Sequence, residues 1–440
     1  MKKELYDLAG QAIKMTKAAG ADGSRVLISG ERFVEISYRD RKPENITEAG
    51  TKGLRVEVFV NKRYSSQSTS DLRPASLKTF IENAVASTKL LAEDPFRTLP
   101  DPKYYQGRAT ADLKLYDPDY ANVTPETRHR FVKAIEEGCL AKGGDKVISV
   151  TASGYDNHGE QVLMSSNGFD GYQENSVFYG AAQITAKDVG DRKPAEYAAA
   201  VTLSRRALPK PEEIGADAAR RALSLLGAKK IKTETLPIII ENRVVSDFGD
   251  GFMQAIFGRN IQQKQSFLAD KKGQKIASPV LTLIDDPFIP GGLGSGAFDS
   301  DGFATKKRVI IDAGVLKEFF VDWYYSRKLN WEPTTGSPSN MIVPPGKRSV
   351  QEIMKDLGRG ILITGFIGGN SNSTTGDTSI GITGQLFEKG QPVHPVSEMN
   401  IADNHLKIWL RLAEAANDPY MYSQQRLPSL VFTDIVVAGL

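Results

Sequence analysis

Leu54-Arg55-Val56-Glu57-Val58-Phe59-Val60 decides the reading of the fold, because its apolar side chains recur on every second position. Successive side chains of a strand point to opposite faces, so this stretch marks one buried face of a sheet. Toward the N-terminus, Arg25–Ser29 and Phe33–Tyr38 read as short strands. Before them Leu5, Leu8, Ala9, Ala12, Ile13 and Thr16 recur at spacings of three and four, so residues 2–19 read as an amphipathic helix ending at Gly20. On the other side Asp71 and Pro74 introduce a second helix, with Leu77, Phe80, Ile81, Ala84, Val85 and Thr88 on its inner stripe. Helix, strands and helix form a compact α/β unit over residues 1–95.

Residues 96–123 carry prolines at 100, 102 and 118 and little periodicity, so they read as a linker lying across the surface. Thr124-Pro125-Glu126 then starts a helix. The hydroxyl caps a free N–H, proline needs none at the first position, and the acid meets the positive dipole end. Phe131, Val132, Ile135 and Cys139 form its apolar stripe, which makes the lone cysteine a small core residue rather than a nucleophile. Strands follow at Val147–Ala152, Gln161–Ser166 and Phe169–Tyr179, the latter two joined around Asn167-Gly168, a hairpin signal. A helix over Pro211–Leu226 closes a central α/β segment, 124–230. Over 231–440 strand-like runs dominate, and only Phe248–Arg259, Val350–Leu357 and His405–Ala416 look helical. The expected class is therefore α+β: an N-terminal α/β domain with a mixed sheet and flanking helices, then a mostly β C-terminal domain.

The totals exclude several functions. A chain of 440 residues needs more than one core, and 56 basic against 53 acidic residues leave a net charge of only +3. The basic residues fall in short, scattered groups, whereas nucleic-acid binding concentrates positive charge, so that partner is not expected. One cysteine forbids an intrachain disulfide, and neither a signal-peptide core nor a membrane-spanning run is read, so the expected location is the cytoplasm.

Chemistry-bearing motifs are scarce. The four histidines are His129, His158, His394 and His405, and no two share a helical metal spacing. The best constellation is His394, Glu398 and His405, where His394 and Glu398 share a strand face if the strand is regular; the bland alternative ends a strand at His394 and begins a helix at His405. Ser295 lacks the flanking glycines of a nucleophile elbow, Lys347 lies in no complete phosphate loop, and Asp299-Ser300-Asp301-Gly302 opens like a calcium loop but has Ile310 where the closing glutamate belongs. Two glycine-rich stretches, Gly291–Gly302 and Gly365–Gly384, read either as loops open to close approach of a peptide or another chain or as plain turns between β-strands.

At these places the sequence resembles the TldD/TldE family, also called PmbA or "modulator of DNA gyrase" proteins. The similar segments, in order, are Gly53–Leu72, Ser266-Phe267-Leu268 with Gly273–Ser278, Asp299–Phe320, Thr375–Gly384, Gly390–Asn404 and Leu427–Leu440. In that family the TldD type is a metalloprotease with His-Glu-x-x-x-His on a helix and a further ligand toward the C-terminus. The corresponding window here is Val245–Gly258, which contains Gly249, Asp250 and Gln254 but no histidine. The resemblance is therefore to TldE/PmbA, the partner type without a metal site, and it implies the C-terminal fold of that family. It implies no catalytic or metal-binding residue and no cofactor in this chain, with zinc expected in a TldD-like partner. It also implies pairing with that catalytic subunit as a heterodimer, or with itself as a homodimer, around a chamber for peptide or unfolded substrates. Candidate chamber or interface residues are Asp250, Gln254, Ser266, Asp301, Gly376 and Asp377. The alternatives are an autonomous metal-dependent hydrolase using His394, Glu398 and His405, and a gyrase- or DNA-associated binding protein.

Overall fold

The computed structural model describes residues 2–440. The first half contains α1 (Lys2–Ala18), β1 (Gly23–Arg39), β2 (Lys42–Val60), β3 (Arg63–Thr69), α2 (Pro74–Thr88), α3 (Pro125–Gly143), β4 (Val147–Ser165), β5 (Asp170–Ala186), β6 (Ala195–Thr202) and α4 (Pro211–Ser224). Its strands form one six-stranded sheet in the order β3-β2-β1-β4-β5-β6. Short turns join β1 to β2, β2 to β3, β4 to β5 and β5 to β6, so every neighbouring pair is antiparallel. The two short strands expected at 25–29 and 33–38 are one continuous strand, β1. Its middle residues Gly30-Glu31-Arg32 look like a break in sequence but are held between β2 and β4.

The length of β1 lets one sheet face carry two cores side by side. Val26 and Ile28 pack with α1 and α2 through Leu5, Ala9, Leu77 and Ile81. Val34 and Ile36, on the same face by even spacing, pack with α3 and α4 through Val132, Ile135, Ala218 and Ala222. Cys139 is buried in this second core, and burial followed by the nearby Glu136 charge pushes its thiol up to about 12. Residues 96–123 are tied down: Tyr105, Leu113 and Tyr120 are buried, and Asp101 and Asp117 cap short 3₁₀ turns.

The second half contains β7 (Glu234–Ile240), α5 (Val245–Gln254), α6 (Gly258–Gln262), β8 (Leu283–Asp286), β9 (Arg308–Asp312), β10 (Val315–Leu316), α7 (Trp323–Leu329), β11 (Asn340–Ile342), α8 (Val350–Leu357), β12 (Arg359–Ser371), β13 (Asp377–Glu388), β14 (Gln391–Asn404), α9 (His405–Leu410), β15 (Leu412–Ala415), β16 (Gln425–Arg426) and β17 (Leu430–Ala438). Strands β14-β13-β12-β7-β17 form a continuous sheet whose ends meet through a β14–β17 pairing, so this sheet closes into a barrel. Parallel pairs occur here, β12 with β7 and β11 with β16. Gly365–Gly384, expected as a loop, is mostly the β12–β13 hairpin. Its glycines serve close strand approach, since a side chain on Gly381 would meet the Ile367 carbonyl at 2.3 Å. The helix expected over His405–Ala416 stops at Leu410, because Leu412–Ala415 pairs with β17 instead. Among the described residues no helix is long and apolar enough to cross a membrane.

Candidate functional site

The window without histidine folds as α5, followed after a short break by α6. Two glycines inside a ten-residue helix cost about 1 kcal/mol each relative to alanine. Burial of Val245, Phe248 and Phe252 offsets this, at roughly 1.5–3 kcal/mol per side chain. The helix thereby has a fixed orientation. Gly249 is buried and faces the Trp409 ring, 3.7 Å from where its Cβ would stand. Asp250 is exposed, and the Gln254 amide donates to its carboxylate at 3.3 Å. The three positions of the window thus do not converge on one point.

Behind the helix stands a histidine of a different kind. His405, fully buried at the start of α9, has its Nε2 2.7 Å from the Ser371 hydroxyl, and its Nδ1 has no partner among the described residues. Phe248, Phe252 and Phe267 surround it at ring separations of 6.2, 6.2 and 6.1 Å. Desolvation lowers its pKa to about 4, so the ring is neutral at ordinary pH. Gly251 lets α5 approach this pair: a Cβ there would lie 1.9 Å from the Ser371 hydroxyl and 3.1 Å from the His405 Nε2. Sequence spacing gave no hint of this contact, because it joins three distant elements.

Ser266, Gly376 and Asp377 gather around the same region. The Ser266 hydroxyl donates to the Ala255 carbonyl at 2.5 Å and so fastens the end of α5. The next residue's N–H, from Phe267, donates to the Ser373 carbonyl at 2.9 Å. Gly376, at φ +82°, turns the β12–β13 connection, and its carbonyl accepts from the His405 N–H at 2.7 Å. Asp377 accepts from the Asn404 amide at 3.0 Å and the Thr375 hydroxyl at 2.8 Å, which hold its pKa below the usual carboxylate range. Asp301 lies elsewhere. It pairs with Arg25 of β1 at 2.6 Å and accepts from the Trp323 N–H at 3.1 Å, joining the first sheet to the second half.

The His394, Glu398 and His405 constellation does not assemble. The β14 register slips between Val396 and Met399, and Glu398 sits there at φ +55°. The bulge removes the even alternation that would have put His394 and Glu398 on one face. His394 instead lies with its Nδ1 3.0 Å from the Pro395 carbonyl, and Glu398 faces Lys230 at 3.6 Å. Among the described residues no three His, Cys, Asp or Glu side chains are grouped to hold a metal ion. A zinc site needs three converging donors, and in this window a glycine turned to the core and an amide bonded to its neighbouring carboxylate do not fit it.

Family models for the PmbA/TldA metallopeptidase domain 1, central domain and C-terminal domain match residues 25–88, 118–226 and 233–439. "Metalloprotease PmbA" of Escherichia coli O157:H7 is 29% identical over 100% of this chain and 97% of that protein. A crystal structure from Bacteroides thetaiotaomicron, described as a modulator of DNA gyrase, superposes with a TM-score of 0.96 at 36% identity over 99% of each chain. TldE from Thermococcus kodakarensis shares the fold, with a TM-score of 0.88 at 22% identity over 98% of this chain and 100% of that one.

Proposed function

The chain belongs to the PmbA/TldD metallopeptidase family, and on that premise we propose that it is a TldE-type subunit that holds no catalytic metal and completes a protease with a TldD-like partner. One observation carries this reading: at the helix where a relative of TldD type has its ligands, Gly249 is buried against Trp409 and Asp250 is bonded to Gln254. A Lewis acid held by such a protease would polarise the scissile carbonyl, and among the described residues no donor set is grouped to hold one. Its role is then to wall the chamber and position an extended peptide or unfolded chain, in a heterodimer or, without the partner, a homodimer in the cytoplasm.

The test is co-purification of a tagged copy with the TldD-like chain of the same genome, metal analysis of the dimer, and cleavage of an unfolded protein. The expected result is about one zinc per heterodimer, none with the isolated chain, and cleavage only by the pair. Chelator-sensitive cleavage by the isolated chain would overturn it.

A further inference from the structure

A cavity of about 390 Å³ opens beside α5, where β6 at the edge of the first sheet meets β12 of the barrel. Gly365 forms part of its wall. Where a side chain would begin on Gly365, the Thr383 hydroxyl lies 2.7 Å away and a Glu196 carboxylate oxygen 3.9 Å away. Two polar groups from separate strands therefore converge on one point of the cavity. Thr383 is only 8% exposed and lines the cavity. A register slip in β12 between Ile363 and Gly365 places Thr364 as the extra residue, a device that re-aims strands beside sites.

The charged residues lining the cavity are Arg192, Glu196 and Asp247. Glu196 forms no ion pair among the described residues, because the nearby Arg221 and Arg243 are engaged by Glu241 and Asp217 at 2.6 and 2.7 Å. Arg192 at the rim is held by Asp188 and by the Ala228 carbonyl. Asp247, from α5, adds a second carboxylate whose nearest donor is the Ser246 hydroxyl at 3.4 Å. Burial raises the Glu196 carboxyl above the usual range, against the opposing pull of Arg221, the Tyr197 N–H and Arg243, and partial desolvation with the nearby Asp250 charge raises Asp247. Tyr197 and Phe366 provide aromatic surface on the walls.

We propose that this cavity is a subsite for the cationic side chain, lysine or arginine, of an extended peptide bound along α5. The inference rests on the reading that this chain positions peptide substrate. An ammonium carries three donors and no acceptor, which matches a carboxylate and a hydroxyl oxygen converging on one point. The aliphatic stem packs along Tyr197 and Phe366. An anionic side chain is repelled by Glu196 and Asp247, and a neutral one leaves both unanswered.

The test uses the isolated full chain and two N-acetylated, C-terminally fluorescein-labelled Gly/Ser nonapeptides, one with a central lysine and one with norleucine there. Fluorescence anisotropy is expected to show the lysine peptide binding roughly tenfold tighter, the equivalent of one charge-assisted hydrogen bond. Glu196→Gln and Thr383→Val should each remove most of that preference while leaving the thermal midpoint within a few degrees of wild type. Gly365→Ala, whose methyl enters the cavity, should weaken the lysine peptide as well. Equal binding of the two peptides, or a preference that survives both Glu196→Gln and Thr383→Val, overturns the proposal. So does a norleucine peptide that gains as much from a free N-terminal amine as from lysine. Because no partner or metal is present in these measurements, their outcome is independent of the heterodimer experiment.

Discussion

Removing Asp301 should loosen the joint between the first sheet and the second half by roughly 2–4 kcal/mol. Arg25, Glu57 and Asp301 have side chains only 14%, 10% and 15% exposed, so solvent screens their interactions weakly. In Asp301→Ala, Arg25 loses a 2.6 Å charge-assisted bond and the Trp323 N–H loses its acceptor. The first is worth roughly 1.5–3 kcal/mol and the second about 1. The 3–5 kcal/mol typical of a buried charge left alone is an upper limit, because Glu57 still pairs with Arg25 at 2.7 Å. Urea unfolding of Asp301→Ala, Arg25→Ala and the double variant gives the coupling, expected at about 1.5–3 kcal/mol. The damage should also be local. The segment around Asp94–Thr98 docks on α7 through Tyr324 to Asp94 and Trp323 to Thr98, at 2.7 and 2.9 Å. Limited proteolysis there should accelerate in Asp301→Ala. A coupling below about 0.5 kcal/mol, with unchanged proteolysis, would refute the assignment of Asp301 as a clamp between the halves.

Burial, with the neighbouring Asp301 charge, raises Asp299 to about 7, so the native state keeps a proton that the unfolded chain loses near pH 4. Its contribution to stability is therefore greatest below pH 4 and falls as pH rises toward 7; thermal midpoints from pH 5 to 8 should fall less steeply in Asp299→Asn, and parallel curves would exclude the effect. His405 behaves oppositely: its lowered pKa, about 4, makes stability fall as pH drops from 6.5 toward 4, and His405→Gln should lose that component in acid titrations of the unfolding midpoint. Gly215→Ala on α4 would place a Cβ 1.9 Å from the Ile135 carbonyl of α3 and should cost roughly 2–3 kcal/mol in urea unfolding. Gly10→Ala, in open space on α1, should instead gain about 0.5–1 kcal/mol.

Local chemistry made the first half legible. Thr124 accepts from the Thr127 N–H as its type and place predict, Gly168 turns the β4–β5 hairpin at φ +104°, and Leu54, Val56, Val58 and Val60 are all buried. What sequence hid depends on residues far apart in the chain. The barrel hairpin looked like loop because its glycines are required by carbonyls across the strand, although the alternation of Thr378, Ile380 and Ile382, all buried, was a usable signal. The bulge at Glu398, which separates His394 from its supposed partner, leaves no mark in residue type. The same holds for the cavity beside α5, assembled from Glu196, Asp247 and Thr383 on three elements.

The central strand pair of the first sheet also sets the order in which this protein can be made. Strand β1 ends at Arg39 and its neighbour β4 begins at Val147, so β1 emerges from the ribosome long before one of its two edges can be covered. At roughly 5–20 residues per second the roughly hundred-residue gap lasts about 5–20 s, ample time for a bare strand edge to meet other nascent chains. Glu31, Arg32 and Glu35 stand along that waiting edge and place charge where edge-to-edge aggregation would otherwise start.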